Sequence, residues 1–166
     1  CTPGDSSYWT PSVSWNTYDQ GQYIEWNSDC PTTGFIDIST TGTNANLLDD
    51  TELGITLPFP VLYQGNLFTT ATIGNNGGLV FGTMTANVGY TMANGNGLYP
   101  FVQDLGTTAL PGGVFYEQVG TSPNSQFIVQ WNNIGHYAFP VLPDGATFEL
   151  IIDEATQEIY YVYDDV

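Results

Sequence analysis

Apolar residues in this chain recur at every second position over short windows, and nowhere at helical spacing over a long one. Runs rich in Val, Ile, Phe, Tyr and Thr stand between clusters of Gly, Asn and Pro, which predicts strands joined by turns. The predicted strands are Tyr23–Trp26, Phe35–Ser39, Leu53–Leu57, Leu67–Ile73, Gly78–Phe81, Gly113–Val119, Gln126–Asn132, Ala146–Asp153 and Glu158–Tyr163. In the run 146–153, Phe148, Leu150 and Ile152 fall on one face and Thr147, Glu149 and Ile151 on the other, the period of a half-buried strand. Asn75-Asn76-Gly77-Gly78 predicts a tight hairpin turn, because Asn and Gly tolerate positive φ. Asp153-Glu154-Ala155-Thr156 predicts the turn of the last hairpin. About nine short strands so spaced predict an all-β fold, an antiparallel β-sandwich or jelly roll with little or no helix.

The length of 166 residues suits one domain with its own core. No linker or repeat divides the chain, so residues 1–166 read as a single unit: a sandwich core over 35–166 behind an N-terminal segment, 1–34, of different texture. That segment carries Tyr8, Trp9, Trp15, Tyr18, Tyr23 and Trp26 among Ser, Thr, Asn and Pro. Three roles fit it: a strand and loop capping the sandwich, an arm packing on a neighbouring subunit, or a sugar-stacking surface.

Charge narrows the functions. The chain has 17 Asp and Glu against no Lys or Arg. It cannot neutralise phosphates, which excludes nucleic-acid binding, and it has no P-loop lysine, Schiff-base lysine, arginine finger or basic membrane patch. No run approaches the roughly 18 apolar residues of a membrane-spanning helix. The missing cations read as adaptation to an extracellular setting that is acid, salty or rich in proteases cutting at basic residues; trypsin-like proteolysis would also leave such a chain.

Cys1 and Cys30 are the only cysteines, and a first residue that is Cys implies a processed N-terminus and a secreted protein. An intrachain bridge, a bridge between subunits and a lipid-modified Cys1 all remain open. His136 is the only imidazole, and no nucleophile-elbow pattern accompanies it, which favours a structural histidine. Glu117 and Glu149, on predicted strands, are the first carboxylate pair to test for glycosidase chemistry. Asp49, Asp50 and Glu52, in an acidic loop segment, are candidate calcium ligands, because hard cations take oxygen donors. No other cofactor is expected.

A resemblance emerges from about Ile36 onward. The order runs Leu57-Pro58-Phe59, Tyr63-Gln64-Gly65, Asn76-Gly77 with Leu79-Val80-Phe81, Pro100-Phe101 with Asp104-Leu105, and Gly113-Val114-Phe115-Tyr116. It ends with Phe127-Ile128-Val129-Gln130-Trp131, Thr147-Phe148-Glu149-Leu150 and Glu158-Ile159-Tyr160-Tyr161. This resembles the nidogen-like extracellular domains of animal matrix proteins and of large bacterial secreted and surface proteins. The resemblance implies an extracellular, non-catalytic β-sandwich used in adhesion or assembly. In two respects the chain departs from such domains: Val102 and Gln103 stand where an aromatic and an acidic residue usually precede the Asp-Leu pair, and relatives continue past the Tyr163-Asp164 region into a further strand. The resulting expectation is a secreted structural or adhesive subunit that self-assembles, in a filament or surface layer, or docks on an extracellular partner through strand or arm exchange. The alternative is a carbohydrate-binding module stacking sugars on Trp9, Trp15 and Trp26, and the third reading is a carboxylate-pair glycosidase.

Overall fold

A computed structural model describes residues 34–82, 96–106, 112–136 and 145–166. In chain order the strands are β1 (Thr43–Asn44), β2 (Glu52–Tyr63), β3 (Asn66–Gly74), β4 (Gly78–Phe81) and β5 (Gly97–Leu98), then β6 (Leu105–Gly106), β7 (Gly113–Thr121), β8 (Asn124–His136), β9 (Ala146–Asp153) and β10 (Ile159–Asp165). They form two antiparallel sheets. One has four strands in the order β2-β3-β4-β5; the other has six, in the order β1-β7-β8-β9-β10, with β6 pairing the far end of β8. The fold is the all-β sandwich that the two-residue period predicts.

The core lies between the sheets, and alternation decides which side chains enter it. Ile55, Leu57, Phe59 and Val61 enter from β2, Ile73 from β3, Leu79 and Phe81 from β4, and Phe127, Val129, Trp131, Phe148, Leu150 and Ile152 from β8 and β9. Trp131 is fully buried, stacks on Phe148 with centroids 5.0 Å apart, and donates its indole N–H to the Gly74 carbonyl at 3.0 Å, tying the sheets together. The opposite residues of β8 and β9 are buried as well. Ile128 and Ile151 join Ile38 in a second cluster on the outer face of the six-stranded sheet.

Three differences from the sequence reading have physical causes. β2 runs on past Leu57 to Tyr63, through Pro58 and Pro60, because it is an edge strand and its register shifts between Thr56 and Val61. Residues 35–39 are not a strand: the segment lies over the outer face of the sheet, and side chains rather than a ladder satisfy its amides. β1, β5 and β6 have two residues each, too short for any periodicity. The turn at 75–78 and the last hairpin turn form where predicted; Gly77 has φ +84° and the Gln157 amide closes on the Asp153 carbonyl.

Candidate functional site

The Asn75-Asn76 turn organises an acidic corner. Both side chains are buried at the β3–β4 hairpin and reach across to β6: Asn75 donates its amide to the Leu105 carbonyl, and the Leu105 amide donates to Asn76 Oδ1 at 2.8 Å. Asn76 Nδ2 also donates to Asp50 Oδ1 at 2.9 Å. This bracket brings Asp104 to the 49–50 turn, so that carboxylate oxygens of Asp49, Asp50 and Asp104 lie within 4.8 Å of one another. Asp49 Oδ1 is buried with no partner, and burial, then the charges of Asp50 and Asp104, push the Asp49 carboxyl above its ordinary range. These three residues could hold a divalent cation. The third member is Asp104 rather than Glu52; hydrogen bonds joining segments far apart in sequence choose it, and no local pattern could have.

The second polar site lies on the outer face of the six-stranded sheet. Gln130 on β8 and Glu149 on β9 are cross-strand partners, both fully buried under residues 36–38. The Ile36 amide donates to Glu149 Oε2 at 3.1 Å and the Ile38 amide to Gln130 Oε1 at 2.7 Å, while Gln130 Nε2 donates to Asp37 Oδ1 at 3.1 Å. Glu149 Oε1 is buried without a partner. Burial, reinforced by the charges of Asp37 and Asp164 against the Ile36 hydrogen bond, raises its pKa to about 7. Asp37 is held below the ordinary range by Ser39 and Gln130. A strap is thus pinned to the sheet by two side chains, over Ile128 and Ile151.

The sheet edges differ. β2 is guarded by Pro58, Pro60, its register shift and Gln157 Oε1, which accepts from the Leu62 amide at 2.8 Å. β10 carries no proline, its register shift comes only at its end between Tyr163 and Asp165, and among the described residues no strand pairs its outer side. The Asp153 amide donates to Glu158, so by antiparallel alternation Tyr160 and Val162 bond to β9, and the amides and carbonyls of Ile159, Tyr161 and Tyr163 face the open side. A shallow groove near Phe59, Leu62, Leu67 and Pro123 offers little chemistry: Glu154 in its wall is tied to Ser122 and Ser125, and Gln157 to Leu62.

Residues 28–166 match the family described as "NIDO related". The chain belongs to the nidogen-related family. No curated protein and no solved structure matches it. Nidogen-related domains are extracellular in type, in keeping with the resemblance carried by the strand motifs, and among the described residues no helix is long and apolar enough to cross a membrane.

Within the nidogen-related domain, the Asp104-Leu105 pair serves two ends: Asp104 completes the acidic corner and Leu105 enters the core. Glu117 and Glu149 share the outer face but do not share a cleft. They lie two strands apart, about 10 Å across the sheet, and are offset by two residues, whereas carboxyl pairs in glycosidases sit about 5–9.5 Å apart. Glu117 instead accepts from the Thr41 hydroxyl at 2.6 Å. His136 ends β8 opposite Leu105. Cys1, Cys30, Tyr8, Trp9, Trp15, Tyr18, Tyr23 and Trp26 lie outside the described residues. Sequence reasoning missed Gln130, whose signal was a polar residue inside the otherwise apolar run from Phe127 to Trp131.

Proposed function

We propose that this nidogen-related domain is a secreted, non-catalytic structural or adhesive module that joins another extracellular chain by strand addition at β10. The observation that carries the reading is that, among the described residues, no strand pairs the outer side of β10 from Ile159 to Tyr163, while the β2 edge is broken by two prolines, a register shift and the Gln157 side chain. Near pH 3, about one unit below the ordinary carboxyl pKa, nearly all carboxyls are protonated and acid charge no longer keeps copies apart, so homotypic joining tests the edge alone. Light scattering should find species larger than 18.1 kDa in the wild type and in the control Ala155→Lys, and their loss in Tyr160→Lys, which places a charge on the edge. A monomer throughout, or equal behaviour of all three proteins, would refute the reading.

A second reading concerns the acidic corner: a calcium ion held by Asp49, Asp50 and Asp104 that stiffens the junction of β3, β4 and β6. The unpartnered, buried Asp49 Oδ1 favours it, and calcium-dependent thermal stability checks it.

A further inference from the structure

The chemistry of the chain that β10 accepts can be read from the edge itself, given the strand-addition reading above. An added strand would bond to the amides and carbonyls of Ile159, Tyr161 and Tyr163, and its side chains would lie about 5 Å from those of β10. On the outer face its neighbours would be Glu158, Tyr160 and Val162, with Asp164 at the register shift beyond them, where its charge reaches Glu149. The exposed carboxylates of Glu158, which accepts from the Tyr160 hydroxyl at 2.6 Å, and Asp164 end the row. Asp153, Asp37 and Glu149 stand behind that row; Asp37 and Glu149 are engaged by the strap, and Asp153 by its own turn. On the other face Ile159, Tyr161 and Tyr163 pack on the core, so apolar residues are needed beside them.

A second copy fits this edge poorly at neutral pH. It has no Lys or Arg with which to meet Glu158 and Asp164, and antiparallel pairing of β10 with itself adds acid to acid between molecules that each carry a formal charge of −17. We propose that at neutral pH the β10 edge binds an extended segment of a different, basic extracellular protein. That segment has Lys or Arg opposite Glu158 and Asp164, and β-branched apolar residues facing the core side. Cationic ends against paired acids supply registry and speed of encounter, and the backbone ladder supplies the bulk of the affinity.

The probe is the synthetic peptide Lys-Val-Thr-Val-Ile-Val-Lys, tested beside an analogue with Glu for both Lys and one with Pro for the central Val. Calorimetry at pH 7 should show binding of the first peptide. Binding should weaken about tenfold for either analogue and by a similar factor when salt is raised to about 0.5 M. Tyr160→Lys should weaken it comparably and Ala155→Lys should not, and hydrogen exchange should slow at Ile159, Tyr161 and Tyr163. Equal binding of the Lys and Pro peptides would mean adsorption of a cation to an acidic surface and would overturn the proposal. Equal binding of the Lys and Glu peptides, with those amides protected, would overturn the charge preference while leaving strand addition standing. If no peptide protects those amides, strand addition at β10 is itself wrong.

Discussion

At Gly77 a single methyl group would have nowhere to go. The residue has φ +84°, and a Cβ built on it would lie 1.7 Å from the Phe101 carbonyl oxygen, in backbone that cannot swing aside. Gly65 has a similar φ of +76° with open space around it. Gly77→Ala should therefore cost about 3 kcal/mol or more, and Gly65→Ala about 1 kcal/mol, read from urea midpoints. Equal costs would mean that φ alone, and not the approach of Phe101, fixes the glycine. The turn itself was legible from Asn and Gly. The demand at Gly77 was not, because Phe101 arrives from a segment more than twenty residues away. Asp104 escaped notice for the same reason: only the buried amides of Asn75 and Asn76 place it beside Asp49 and Asp50.

At the scale of elements, the strap over residues 36–38 is held by a carboxyl that resists ionisation. The Glu149 pKa stands near 7 in the folded chain against 4.5 for the free side chain, so between those values the folded state binds more protons than the unfolded one. Its contribution is fully present below about pH 4.5 and is lost as pH rises through 7. Thermal melts should show Glu149→Gln gaining about 2 kcal/mol over the wild type above pH 7, with little difference below pH 4.5. Parallel pH profiles for the two proteins would refute this. Alternation alone located β3, β4, β8 and β9, with ends displaced by a few residues at most. It misread 35–39 because that run has the composition of a strand, yet lies across the sheet, where Gln130 and Glu149 replace the neighbour's backbone as acceptors.

For the whole molecule, the absence of Lys and Arg is the dominant electrostatic fact. Every carboxylate must be solvated, hydrogen-bonded by neutral groups or neutralised from outside. Calcium at millimolar concentration and pH 7 should raise the thermal midpoint by a few degrees beyond any effect of sodium at equal ionic strength, and Asp104→Asn should remove that excess. An unchanged midpoint, or the same gain in the variant, would rule out calcium at the acidic corner. The sandwich, its antiparallel order and its extracellular type were readable from strand spacing and motif order, whereas neither the acidic corner nor the unequal edges could be seen without the pairing of distant segments. The inequality of the edges also sets a stoichiometry. Among the described residues, β2 is guarded by its prolines and register shift, β1 covers β7 only at Phe115 and Tyr116, and β10 is unpaired along its outer side. On the strand-addition reading proposed above, a strand laid on β10 covers that side, so each domain takes one partner there and a polymer containing it needs a second link elsewhere.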